Sequence, residues 1–76
     1  MDAQFTYHTH TFTIGKTNWE VIVGKKDGQF FAVDVYNMNL PRAMRTGKRF
    51  YSINAAIENY RKPEMKMHIE LAAIGM

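Results

Sequence analysis

A chain of 76 residues provides one small domain and not two, and a content of 46% hydrophobic and 22% charged residues excludes a disordered segment. The absence of cysteine excludes disulfides and cysteine-ligated zinc, the usual staples of small folds, and fits a reducing compartment. Ten Lys and Arg against seven Asp and Glu leave a net charge of +3, and no run of residues nears the roughly 18 to 20 apolar residues of a membrane span. The start, Met1-Asp2-Ala3-Gln4, lacks the basic stretch of an export signal. The expectation is one domain over residues 1–76, located in the cytoplasm.

Three stretches in the first half alternate with the period of a strand. Phe5 to Ile14 is interrupted by Thr6, Thr9, Thr11 and Thr13, which suits an edge or half-exposed strand. Trp19 to Val23 directs Trp19, Val21 and Val23 to one face and Glu20 and Ile22 to the other. Gln29 to Tyr36 sends Phe31, Val33 and Val35 one way and Phe30, Ala32, Asp34 and Tyr36 the other. Gly15-Lys16-Thr17-Asn18 and Gly24-Lys25-Lys26-Asp27-Gly28 read as hairpin connections, so the strands form an antiparallel meander.

From Asn37 to Arg49 no period holds, and the segment reads as a long loop with one helical turn after Pro41. Ser52 is a candidate N-cap for a helix whose stripe is Ile53, Ala56, Ile57 and Tyr60, with Pro63 ending it. Glu64 to Ile74 carries two patterns. Met65, Met67, Ile69, Leu71 and Ala73 alternate as in a strand, while Pro63 at a first helical position, Glu64 beside it and Gly75 as a stop describe a helix. The fold class is α+β: a three-stranded meander followed by two helices (βββαα), the alternative being βββαβ with a C-terminal strand. Either way the helical layer covers the Trp19/Val21/Val23 and Phe31/Val33/Val35 face.

The opposite face then presents Ile22, Phe30 and Tyr36 beside Glu20 and Asp34, with Phe5 and Tyr7 joining from the first strand. A sheet with one helical layer should be polar on its outer face, so this content calls for a cover. The chain's own loop, a second copy paired face to face, a protein partner and stacked bases each answer it. Ile22, Phe30 and Tyr36 are the candidate protein interface.

The charge is unevenly placed. Lys16, Lys25 and Lys26 stand against Asp2, Glu20, Asp27 and Asp34 in residues 1–41, whereas residues 42–76 hold seven basic residues against Glu58, Glu64 and Glu70. Arg42, Arg45, Lys48, Arg49, Arg61 and Lys62 form the candidate contact for nucleic acid or an acidic partner. Three strands leading into Phe50-Tyr51-Ser52 and a helix resemble, in element order, the small DNA-binding domains of phage integrases and plant ethylene-response factors. That resemblance implies basic residues on the sheet, where this chain has Glu20 and Asp34.

Reactive chemistry finds little support. His8 and His10 share a strand face and the spacing of two metal ligands, with His68 as a candidate third, but packing beside Phe12 and Ile14 accounts for them and no metal is expected. Ser52 is the only serine and serves as a cap. Gly24 and Gly28 belong to a hairpin and not to a phosphate loop. No catalytic residue and no cofactor is assigned. Met38, Met44, Met65 and Met67 read first as core filling and second as an adaptable binding surface. The function expected is therefore a small non-enzymatic binding or regulatory protein that contacts nucleic acid through the basic loop and helix end. The alternative is a phage- or mobile-element-type inhibitor, for example anti-CRISPR-like, that occupies a host protein complex. A homodimer is a third reading.

Overall fold

Two tight turns build the meander. β1 (Phe5–Ile14) passes through Gly15 and Lys16 into β2 (Thr17–Lys26), and β2 passes through Asp27 and Gly28 into β3 (Gln29–Asn37). Gly15 has φ +61, and Asp27 and Gly28 have φ +52 and +80. Positive φ at the first turn residue, as at Gly15, or at both, as at Asp27 and Gly28, is what the two-residue hairpin turns that match the strand twist require. The connections are thus shorter than the glycine spacing suggests, and Gly24, Lys25 and Lys26 belong to β2. The Asp27 backbone N–H donates to the Gln4 carbonyl at 2.8 Å and its carboxylate accepts from the Gln4 N–H at 3.0 Å, which ties the entry of β1 to this turn.

The computed structural model describes residues 4–44 and 47–74, apart from the side chain of Arg42, and has the βββαα order with one addition. A 3-10 turn at Arg42–Met44 follows Pro41, as its position predicts, and then β4 (Gly47–Phe50) pairs antiparallel with β3 to give the order β1-β2-β3-β4. The loop expected over Asn37 to Arg49 therefore ends in a strand. Four residues with two cations and a glycine carry too little alternation to announce it. The glycine has a structural reason: the Tyr36 ring lies across Gly47, where a Cβ would overlap it.

The sheet's faces depart from strict alternation at one point. Val21 faces Val35 and Val23 faces Val33, but between Gly24 and Lys25 the register slips, so that Lys25 faces Phe30 and Phe31 is left over. This bulge inverts the two phenylalanines. Phe30, expected on the outer face with Ile22 and Tyr36, packs against the core. Phe31, expected in the core, stands 39% exposed on the outer face with its ring edge-on to Phe5 at 5.5 Å.

Ser52, in extended conformation, accepts the Ala55 N–H on its Oγ at 3.0 Å and starts α1 (Ile53–Asn59). The helix ends at Tyr60, whose backbone is extended. Pro63 therefore does not close α1 but opens α2 (Pro63–Ile74), where its missing N–H costs nothing and Glu64 meets the positive end of the helix. The helical pattern prevails in this segment: Met65, Ile69 and Ala72 are buried, and Met67 and Leu71, which a strand would have placed beside Met65 and Ile69, are exposed.

The core joins Phe12, Val21, Val23, Val33 and Val35 of the sheet to Ala56, Met65, Ile69 and Ala72 of the helices. Val21, Val23, Val33 and Ile69 are fully buried, each contributing about 1.5–3 kcal/mol by removal from water. Among the described residues no buried side-chain polar atom lacks a partner, and no helix is long and apolar enough to cross a membrane.

Candidate nucleic-acid interface

Because α1 stops at Tyr60 with extended backbone, the Tyr60 ring leaves the helix and packs over the sheet. It meets Trp19 of β2 edge-on at 6.4 Å and Phe50 of β4 edge-on at 6.2 Å. Burial pushes the Tyr60 phenol up from its ordinary value, so it stays neutral through the physiological range. Two open recesses flank the Trp19–Tyr60 pair. The first, about 220 Å³, is walled by Ile14, Thr17 and Met65, with Arg61 and Lys62 among its lining residues. The second, about 230 Å³, lies between Val35, Asn37 and Lys48. Both recesses combine a largely apolar wall with cationic side chains from segments far apart in the chain.

The neighbouring loop is anchored to the same end of the sheet. Asn39 accepts the Asn18 N–H at 2.7 Å, donates its side-chain N–H to the Lys16 carbonyl at 2.8 Å, and takes the Asn37 side-chain oxygen on its own N–H at 3.0 Å. The Met38 N–H donates to the Asn18 carbonyl at 2.7 Å. These bonds fix the path into the 3-10 turn beside the turn that carries Lys16, next in sequence to Thr17 of the first recess.

The basic residues singled out by sequence are divided by the fold. Lys48, Arg61 and Lys62 come together around Trp19 and Tyr60. Arg49 does not: one residue along β4 it turns to the opposite face, opposite Asp34, and binds that carboxylate through Nε to Oδ1 at 2.8 Å and Nη2 to Oδ2 at 3.0 Å. This two-point hydrogen bond, and then the charge of Asp34, raise the guanidinium pKa above its already high value. Arg42 enters through its backbone in the 3-10 turn; its side chain, like Arg45, lies outside the described residues. Ile22 and Tyr36 remain on the outer face, half-buried, and Phe30 leaves it.

Sequence reasoning assigned Trp19 and Tyr60 to the core and missed their part in the site. A signal was present: Tyr60 directly precedes Arg61-Lys62, and a large aromatic at a helix end beside two cations is placed to line a rim. His10 Nε2 and His68 Nδ1 lie 3.1 Å apart and share a hydrogen bond, and His68 stacks on Phe12. Among the described residues no group of three or more His, Cys, Asp or Glu is arranged to hold a metal ion. Compared with known protein families, curated proteins and solved structures, the chain matches none.

Proposed function

We propose that this protein binds nucleic acid, without catalysing a reaction on it, through the surface around Trp19 and Tyr60. One observation carries the reading: Lys48 of β4 and Arg61-Lys62 of the α1–α2 joint, separated in sequence, flank a single aromatic pair. Cations set around apolar recesses suit a ligand that alternates phosphate with flat rings. The cations displace counterions from the phosphates, and an aromatic face contributes about 1–3 kcal/mol for each base stacked on it. In this reading Lys48, Arg61 and Lys62 make the contact, and Arg49 is held by Asp34.

Trp19 is the single tryptophan, so its fluorescence reports on the site directly. Titration with single-stranded and duplex oligonucleotides at several salt concentrations should show binding that weakens steeply with salt. The double variant Arg61→Ala/Lys62→Ala should bind at least tenfold more weakly, with a salt slope shallower by about 2. Absent binding, or binding indifferent to salt and to this substitution, rejects the reading.

A second reading, inhibition of a host protein complex, draws on the other side of the sheet, where Tyr7 is 65% exposed and Phe31 is turned outward against Phe5. Aromatic residues on an open surface are the usual anchors of protein contacts. Capture of a protein complex lost with Tyr7→Ala and kept with Arg61→Ala would favour it over nucleic acid.

A further inference from the structure

The two edges of the sheet are built differently. β4 has four residues and carries Lys48 and Arg49, a short charged edge of the kind that repels a further strand. β1 runs for ten residues without a charged side chain or a proline, and pairs with β2 in unbroken register. It ends the sheet, so among the described residues no strand meets its outer side. An edge this long, regular and unguarded is a template for strand addition.

Helix α2 bears an unfinished surface on the same flank. It packs over both β1 and β2. Lys66 turns toward α1, its Nζ donating to the Ile57 carbonyl at 3.2 Å, whereas His68 turns toward β1 and stacks on Phe12. At about 100° per residue, Leu71 falls about 60° from His68 on the side away from the core, with Met67 next on the crest. Leu71 is 47% and Met67 48% exposed. An uncovered strand edge and an uncovered apolar helix shoulder therefore lie side by side.

We propose that this protein self-associates by pairing β1 antiparallel with β1 of a second copy, giving an eight-stranded sheet on whose one face the two α2 helices lie side by side across the seam. A second copy is the partner that fits both openings. An added peptide strand would complete the edge and leave Leu71 wet, whereas a two-fold axis normal to the sheet returns a strand and a helix together. The spacing agrees: strands are about 4.8 Å apart, so a helix straddling β1 and β2 lies about 4.8 Å from the seam and its mate about 9.6 Å away, the distance of packed helices. Charge agrees as well, since β1 meets its copy without like charges while β4 would set cations against cations. This pairing is edge to edge, not the face-to-face association that the outer sheet face suggests.

Sedimentation equilibrium of the full chain from micromolar to millimolar concentration tests it, the expected mass being twice 8.8 kDa. Thr9→Glu/Thr11→Glu, at exposed positions of β1, and Leu71→Glu should each weaken association at least tenfold while circular dichroism shows an intact fold. Should those variants unfold, Thr9→Cys, Thr11→Cys and an equimolar mixture of the two decide, because the chain has no other cysteine: a crosslinked dimer on mild oxidation in any of the three supports the seam and its absence from all three overturns it. A monomeric wild type at millimolar concentration overturns the proposal, as does a dimer that survives the seam variants or dissociates only on Phe31→Ala.

Discussion

His10 of β1 and His68 of α2 share a hydrogen bond of 3.1 Å, and the His68 ring lies parallel to Phe12 at 4.1 Å, so one side chain of the last helix is held to the edge strand at two points. His10 titrates below its ordinary 6.5 because burial, then His68, then His8 disfavour its charged form. Below that value the unfolded chain binds more protons than the folded one. Stability is therefore complete above about pH 6.5 and declines as pH falls toward the lowered value of the folded state. Thermal unfolding followed from about pH 8 to about pH 5 should show this decline, and His10→Gln should flatten it. A wild-type profile level across that range would contradict the account.

Ile69 is fully buried where α2 meets the sheet. Ile69→Ala should cost about 2–5 kcal/mol, a large share of the roughly 5–15 kcal/mol that holds a domain together, and Ile69→Val about 0.5–1.5 kcal/mol. Urea unfolding monitored by Trp19 fluorescence measures both.

The Ser52 cap is an isolated contribution to α1. Ser52→Ala leaves the Ala55 N–H without its Oγ acceptor and should cost about 1 kcal/mol, while Ser52→Asp should retain most of it. Equal denaturation midpoints for Ser52→Ala and wild type would show that α1 is held by packing alone.

The bulge at Gly24 makes two adjacent phenylalanines unequal. Phe30→Ala opens space against the core and should lower the unfolding midpoint clearly, whereas Phe31→Ala removes a ring that is 39% exposed and touches Phe5 from outside. The reverse order of effects would argue for the unbulged register.

Arg49 and the Arg61-Lys62 pair should separate in binding assays. Arg49→Ala frees Asp34 on the far face and should leave nucleic-acid affinity nearly unchanged, in contrast to the loss expected from Arg61→Ala/Lys62→Ala. An equal loss from both would mean that the ligand reaches around the sheet.

Much of the fold was legible in the chain because it depends on neighbours in sequence. Period-two alternation, the glycines of the two turns, the Ser52 cap and the Ile53/Ala56/Ile57 stripe each act within a few residues, and they recovered the meander and the first helix. The last segment was ambiguous because Met65 and Ile69 share a face in a strand and in a helix alike. Pro63 and Glu64 suit a helix start, and the fit of Met65, Ile69 and Ala72 against Val21, Val23 and their neighbours decides for the helix.

The candidate site was legible by residue type but not by membership. The cations Lys48 and Arg49 are adjacent in sequence, yet alternation across β4 sends one to the Tyr60 recess and the other to Asp34 on the opposite face. Phe30 and Phe31 exchange faces through one unpaired residue, and no local propensity records a slip that arises between two strands. Composition and patterning by themselves determined the α+β class and the gathering of positive charge in the second half. Which aromatic and which cation share a surface, and which strand edge stays open, depended on contacts between residues distant in sequence, and those exist only once the sheet and helices have closed around the core.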